Sequence, residues 1–310
     1  MSLSPAVAAV VQPFPRHLAI LLMLGLATLF AANHVAARLA FDEGTGLLVA
    51  ILARSSVALV VLVGLVLIKR RRIALPPGTR RWQLAVGALV AIQSLCLYSA
   101  VARIPVVVAL LLMNTFPLQL ALLTWALGGP RPTARAVVIM AIILVGLVVV
   151  LDIPTWLASP EAMGPDWAVG VGFGLVAATA FACALWITQH RLAAVSNSVR
   201  SLLTMTIVFG IMVLAGVSGL VPGGLALPAS TTGWAGLLSL ALLYGVGFAI
   251  LFVSLPRLDM ARNAPVMNVE PVASLVLGYL VLGQMLSAGQ LVGGAIVLGG
   301  ILLLSFSRRG

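Results

Sequence analysis

Charged residues are scarce in this 310-residue chain. Asp, Glu, Lys and Arg make up 8% of it, whereas soluble domains carry roughly 25%. So few charges cannot cover a water-exposed surface, which excludes an ordinary soluble globular protein. Disorder is excluded as well, because disordered chains have low hydrophobicity and 62% of these residues are hydrophobic.

Ligand-type residues and catalytic motifs are also few. The chain has two cysteines and three histidines, with no CxxC pair and no HExxH motif, so neither a disulfide scaffold nor a metal site is expected. It contains no GxxxxGK-Ser/Thr phosphate loop and no GxSxG nucleophile elbow. We therefore expect a protein that is not an enzyme and that carries no cofactor.

Long apolar stretches fill most of the chain. A membrane-spanning helix needs about 20 predominantly apolar residues, and ten stretches qualify. They lie at approximately 17–37, 45–68, 83–101, 104–127, 133–151, 167–190, 199–221, 232–254, 258–282 and 287–306. Because they are too long and too uniformly apolar for barrel strands, we predict an all-α integral membrane protein with ten transmembrane helices.

The few charges are distributed asymmetrically around these stretches. With the N-terminus placed in the cytoplasm, 15 of the 18 Lys and Arg residues fall on the cytoplasmic side. Five of the seven acidic residues fall outside. This pattern follows the positive-inside rule and predicts that both termini are cytoplasmic. Membrane orientation thus explains the net charge of +11, and we expect no nucleic-acid partner.

A repeat relates the two halves of the chain. Four pairs recur at a spacing of 154 residues: Arg103 and Arg257, Met113 and Met267, Asn114 and Asn268, and Pro117 and Pro271. Because each half has an odd number of spans, the second copy starts from the opposite side of the membrane. Such inverted repeats are characteristic of secondary transporters. We predict an N-terminal five-helix repeat over 1–151, a connecting periplasmic loop over 152–166 and a C-terminal five-helix repeat over 167–310, forming one transport domain.

Two prolines occupy equivalent positions in the fourth and ninth spans. A proline removes one backbone hydrogen bond, so Pro117 and Pro271 each free a carbonyl near the membrane midplane. Symmetry-related breaks of this kind point to a substrate site. We predict that both prolines are hinges, the alternative being kinks within packed helices. The neighbouring residues predicted to bind substrate are Met113, Asn114, Met267 and Asn268.

Three ionisable residues in the interior of the predicted spans are candidate functional residues. Glu270 near mid-membrane either couples protons or binds a substrate amine, or it is a neutral or paired structural acid. His34 either binds substrate or senses pH, or it packs as a neutral side chain. Arg54 either pairs with Glu270 or extends its long stem to the outer interface, and we favour the second interpretation.

Further polar and aromatic side chains lie at middle or outer depth. Pockets for small metabolites combine apolar and aromatic walls with a few placed polar groups. Tyr244 and Phe248 are four residues apart and share one helix face. The remaining predicted substrate-binding residues are Asn33, His34, Gln93, Tyr98, Trp186, Tyr244 and Phe248. For each, ordinary packing is the alternative, or interfacial anchoring for Trp186.

Three local patterns resemble the drug/metabolite transporter superfamily of the EamA type. They are the Ala53-Arg54 start of an apolar run, the Asn and Pro centres of the fourth and ninth spans, and the glycine-bearing last span at 289–300. The chain departs from the family pattern where an acid often closes spans four and nine, because Gly128-Gly129 and Gly283-Gln284 stand there. Within the family, the chain looks most like the bacterial exporters of aromatic amino acids.

This resemblance implies a secondary transporter of the bacterial inner membrane. It would export small metabolites, amino acids with aromatic or other apolar side chains among them, by alternating access. The expected partners are a small-molecule substrate and membrane lipid, and a monomer is the expected state. The alternatives from other classes are an integral membrane enzyme acting on lipid and a passive channel.

Overall fold

The computed structural model describes residues 14–68, 70, 73–152, 164–254, 257–258 and 264–307. All regular structure in these ranges is helical. The α-helices are α1 (Arg16–Asp42), α2 (Leu47–Ile68), α3 (Arg80–Val101), α4 (Val106–Met113), α5 (Phe116–Ala126), α6 (Ala134–Val150), α7 (Trp167–Arg191), α8 (Asn197–Val217), α9 (Thr231–Ser254), α10 (Glu270–Leu282) and α11 (Ala288–Ser307). A 3-10 helix, Ala264–Val269, precedes α10.

The described helices have the length and composition of a multi-pass membrane protein. Seven segments are long and apolar enough to cross a membrane, with α4 and α5 together forming one of them, and three shorter apolar helices accompany them. Large apolar side chains face outward, as expected for a lipid-exposed surface; Val60, Ile68 and Val217 are each at least 73% exposed. Ten crossings, the cytoplasmic termini and the domain boundaries stay predictions, and most of the predicted loop 152–166 lies outside the described residues.

The fourth predicted span is two helices rather than one. Helix α4 ends at Met113, and α5 begins at Phe116 with Pro117 in its first turn. Between them the chain makes a tight turn, in which the Thr115 amide donates to the Leu112 carbonyl at 3.1 Å. The break predicted from Pro117 is therefore present in the structure.

The ninth predicted span is interrupted at the equivalent place. The 3-10 helix ends at Val269 and α10 begins at Glu270, followed by Pro271 in its first turn. Phe116 and Glu270 are thus the first residues of their helices, and they stand 154 residues apart in the sequence. The two breaks therefore fall at equivalent positions of the repeat. In each, the proline lies in the first turn of the new helix, where its missing N–H is not needed.

Helices of the two halves pack against each other throughout the bundle. Helix α1 packs on α9, and α3 packs on α7. The 154-residue spacing exchanges α1 with α7 and α3 with α9, so these two contacts are equivalent. The same spacing exchanges α2 with α8 and α6 with α11. The α2–α8 contact and the α6–α11 contact are therefore each mapped onto themselves. The middle of the bundle is consequently lined by helices from both halves.

A close backbone approach sets the position of α1 against α9. A Cβ at Gly236 would lie 2.9 Å from the Ala40 nitrogen and 3.1 Å from the Ala36 carbonyl oxygen. Glycine is therefore needed there for the two helices to reach this separation. Their proximity brings Asn33 of α1 next to the backbone of α9, where the candidate site begins.

Candidate functional site

Asn33 and Tyr98 form the buried centre of the site. The Asn33 Nδ2 amide donates to the Leu240 carbonyl of α9, and the Tyr98 hydroxyl of α3 donates to Asn33 Oδ1 at 3.3 Å. Tyr98 has no exposed surface and Asn33 is 1% exposed. Three helices from the two halves are thus tied together at one point, which fixes the orientation of the Tyr98 ring.

Arg54 lies beside this centre, contrary to the interpretation favoured from the sequence. Its guanidinium does not extend to the interface, since the residue is 5% exposed. Nη2 donates to Ser94 Oγ at 2.6 Å, and Cζ lies 4.4 Å from the Tyr98 ring centroid and 4.8 Å from that of Tyr244. Two aromatic rings therefore hold the cation inside the bundle.

The sequence contained one signal for this position. An arginine inside an apolar run is by default a functional candidate. Its stacking partners, however, come from α3 and α9, and no local spacing links Arg54 to either tyrosine. The contact exists only because α2, α3 and α9 pack together.

Glu270 faces His34 rather than Arg54. The His34 Nε2 lies 3.5 Å from Glu270 Oε1, with both side chains largely buried. Within the described ranges, no carboxylate oxygen lies within 4 Å of the Arg54 guanidinium, so the Arg54–Glu270 pair, the alternative considered from the sequence, is absent from this structure as well. The His34 ring also meets the Tyr98 ring edge-on, at a centroid distance of 6.0 Å.

His34 keeps one nitrogen available. Its Nδ1 is buried and has no hydrogen-bond partner among the described residues. An unpaired buried polar atom costs free energy, so this nitrogen marks a place where a ligand group or water would be stabilised. Among the same residues, no three His, Cys, Asp or Glu side chains converge as metal ligands.

Side chains of α3 connect Arg54 to the first helix break. Ser94 Oγ lies 3.4 Å from Gln93 Oε1, and Gln93 Nε2 lies 3.9 Å from Met113 Sδ at the end of α4. Asn114, one residue further, donates instead to the Leu110 carbonyl of its own helix at 2.9 Å. The predicted residues Gln93 and Met113 therefore belong to the same cluster as Tyr98, while the Asn114 amide is satisfied locally.

Tyr244, the second ring beside Arg54, belongs to an aromatic group. Tyr244 and Phe248 lie on one face of α9 as predicted, with ring centroids 4.7 Å apart. Phe30 of α1 packs edge-on against both, at 6.1 Å and 6.3 Å. Phe30 was missed in the sequence, although it lies four residues before His34 and therefore shares its helix face.

The other predicted residues lie around this cluster or away from it. Met267 packs against the buried hydrophobic cluster that contains Met23, and Asn268 is half-buried in the 3-10 helix two residues before Glu270. Trp186 of α7 stacks on His190 at a centroid distance of 4.6 Å, one turn from the end of its helix. The structure thus brings eight of the predicted residues into one connected cluster: Asn33, His34, Gln93, Tyr98, Met113, Tyr244, Phe248 and Glu270.

A cavity of about 310 Å³ lies at one end of the bundle. Its lining includes Phe41 and Thr45 from the end of α1 and the following loop, and Gly223 and Gly224 between α8 and α9. Phe41 also meets the Tyr98 ring edge-on at 5.5 Å. One aromatic side chain therefore lies between this cavity and the buried cluster.

The sequence profile of the EamA-like transporter family matches residues 17–152 and 168–306, covering both repeats. The chain belongs to the EamA-like transporter family. Members are membrane transporters of small molecules, which confirms the resemblance read from the sequence and supports a protein that is not an enzyme. No curated protein matches this EamA-like chain.

The fold has been seen in a solved crystal structure. That protein is 18% identical in sequence, and the match covers 95% of this chain and 99% of the other, with a TM-score of 0.61. At this identity the likeness concerns the fold alone. The resemblance to aromatic amino acid exporters, a finer statement than the family, stays a prediction.

Proposed function

We propose that this EamA-like transporter exports small metabolites, namely amino acids with aromatic or other apolar side chains, across the bacterial inner membrane by alternating access. One observation carries the proposal: a continuous series of side chains joins the two helix breaks. It runs from Met113 through Gln93, Ser94, Arg54, Tyr98 and His34 to Glu270. A substrate bound along this series would contact both repeats at once.

The two breaks supply the mechanism. Pro117 and Pro271 act as hinges, so that α5 and α10 tilt while α1, α3 and α9 hold the binding residues. A ligand shifts such an equilibrium only as far as it binds the two states differently. Because Met113 and Glu270 lie next to the hinges, tilting either helix changes the site itself, which couples binding to opening.

The residues around the proposed site favour a substrate with an apolar side chain. Phe30, Tyr244 and Phe248 form a group of three packed rings. The polar groups Asn33, His34 and Gln93 belong to the same connected cluster through Tyr98, Ser94 and Arg54. Small-molecule sites have this composition, an apolar wall with a few placed polar groups. The protonatable pair His34 and Glu270 at the second break is our candidate for proton coupling, with the protein working as a monomer.

Counterflow in proteoliposomes tests the function. Vesicles containing the purified protein are loaded with unlabelled phenylalanine, threonine or methionine, and uptake of the labelled amino acid is followed. We expect saturable uptake that the internal amino acid accelerates. Gln93→Leu, which interrupts the series of side chains, is expected to slow it, whereas Gln189→Leu, at an exposed position of α7, serves as the matched control.

Other outcomes would contradict the proposal. Uptake that does not saturate and that internal substrate does not accelerate would indicate a passive channel. Turnover of a labelled lipid by the same vesicles would indicate a membrane enzyme. Equal loss of counterflow in both glutamine variants would show that the series of side chains has no special role.

A further inference from the structure

Arg54 is a buried cation in a helix that has the composition of a membrane span. It is 5% exposed, and its guanidinium carbon lies over the Tyr98 ring of α3 and over the Tyr244 ring of α9. Charged side chains at membrane depth are costly and are usually paired or directed into a cavity. Aromatic faces attract a cation through their quadrupole, but they carry no net charge to neutralise it.

The Arg54 guanidinium has more N–H donors than its hydroxyl neighbours can accept. An arginine carries five N–H donors in one plane, and the hydroxyl groups beside it belong to Ser94 and Tyr98. Nη2 donates to Ser94 Oγ at 2.6 Å. Ser94 is a neutral acceptor, and among the described residues no carboxylate oxygen lies within 4 Å of this cation. The arrangement is suited to an anion that approaches edge-on.

A carboxylate fits this edge better than a phosphate. A guanidinium and a carboxylate match in charge and in bidentate geometry. A phosphate carries more negative charge and would call for further fixed cations, whereas the neighbour available here is the neutral or singly charged imidazole of His34. The rings of Phe30 and Phe248, which pack on Tyr244, offer an apolar surface to the rest of the molecule.

We propose that Arg54, held between Tyr98 and Tyr244, binds the carboxylate of the transported molecule. The substrate class is then small carboxylic acids with an apolar or aromatic body, of which apolar amino acids are members. This proposal rests on the proposed function of the same site and names the chemical group that the site recognises. The His34 ring, whose Nδ1 has no hydrogen-bond partner among the described residues, packs edge-on against Tyr98 and adds a polar group to the same cluster.

Ligand-dependent thermal unfolding of the purified protein in detergent tests the proposal without transport. The probes are phenylalanine, leucine and phenylacetate, each compared with the analogue in which an alcohol replaces the carboxylate. We expect the acids to raise the unfolding temperature in a concentration-dependent way and the alcohols to have no effect. Arg54→Gln should weaken acid binding by about 30-fold or more, because truncating one partner of a buried charged pair has effects of that order.

The controls keep the proposal falsifiable. Arg81, which stacks on Trp82 at 5.2 Å at the exposed start of α3, supplies the matched variant Arg81→Gln, and it should bind the acids as wild type does. If Arg54→Gln does not fold, Arg54→Lys and the wild-type comparison of acids with alcohols still decide. Alcohols that bind as tightly as the acids, an Arg54→Gln protein that binds the acids unchanged, or no stabilisation by any acid would each overturn the proposal.

Transport measurements separate this proposal from the proposed function. If the acids bind through Arg54 but show no counterflow, the carboxylate site is supported and transport of these acids is refuted. If counterflow of the alcohols is as fast as that of the acids, transport is supported and the role of Arg54 in binding a carboxylate is refuted.

Discussion

Replacing Asn33 with leucine should destabilise the protein through Tyr98. Leucine has the same branching as asparagine but larger terminal groups. The change therefore removes two hydrogen bonds, from Nδ2 to the Leu240 carbonyl and from the Tyr98 hydroxyl to Oδ1, and it also crowds the Leu240 carbonyl. The Leu240 carbonyl lies within α9, but the Tyr98 hydroxyl stays fully buried without this acceptor.

The expected magnitude is modest. Leaving a buried polar group unsatisfied costs about 1–3 kcal/mol in soluble proteins. Interhelical hydrogen bonds in membrane proteins average about 0.6 kcal/mol in double-mutant cycles, because the unfolded chain in the membrane also finds partners. The O···O distance of 3.3 Å is long for a hydroxyl bond. We therefore expect the lost hydrogen bonds in Asn33→Leu to lower the free energy of unfolding by about 1 kcal/mol, of which about 0.6 kcal/mol depends on the Tyr98 hydroxyl. Crowding by the methyl groups adds to this cost.

A double-mutant cycle isolates that share. Tyr98→Phe removes the hydroxyl, so Asn33→Leu made in that background should cost less by about 0.6 kcal/mol. Unfolding is followed by titration with a denaturing detergent in mixed micelles, with helicity as the signal. Asn197→Leu at the exposed start of α8 is the control and should have a small effect. An equal cost of Asn33→Leu with and without the Tyr98 hydroxyl would refute the reasoning.

Three further perturbations test other parts of the structure. Glu270→Gln keeps the shape but cannot release a proton, so it should abolish transport driven by a pH gradient while counterflow continues; unchanged pH-driven transport would remove Glu270 from proton coupling. Gly293→Leu should destabilise the α6–α11 contact by about 1–3 kcal/mol, because a Cβ there meets the backbone of Val150. The control Gly299→Ala should be tolerated, because a Cβ at Gly299 has nothing within 4 Å. Equal effects of the two substitutions in a denaturant titration would count against this packing. Pro271→Ala should slow counterflow without weakening substrate binding in an equilibrium binding assay, and weakened binding at an unchanged rate would argue against a hinge.

The sequence was informative where the physics is local. A span is recognised by its apolar length, and a proline interrupts a helix wherever it stands, so the helical class and both breaks followed from the chain alone. The residues that the structure groups around Tyr98 were also recognisable as polar or aromatic side chains within spans. Each of these inferences depends on a short window of sequence.

The sequence was less informative where distant helices meet. Arg54 was expected to reach the interface because a long stem does so easily, and its burial depends on Tyr98 and Tyr244, which lie on other helices. From the sequence, Arg54 was considered as a partner of Glu270, but in the structure Glu270 faces His34. Stacking and pairing across a bundle are set by helix rotation and register, which one sequence without its packing does not specify.

The pair of helix starts at Phe116 and Glu270 has a further consequence. In the first repeat this position is Phe116, whose ring packs against Phe181 at a centroid distance of 4.9 Å. In the second repeat it is Glu270, whose carboxyl group faces His34. The two repeats are therefore chemically unequal at a position that the 154-residue spacing makes equivalent. A substitution at Phe116 changes an aromatic contact, whereas a substitution at Glu270 changes an ionisable pair.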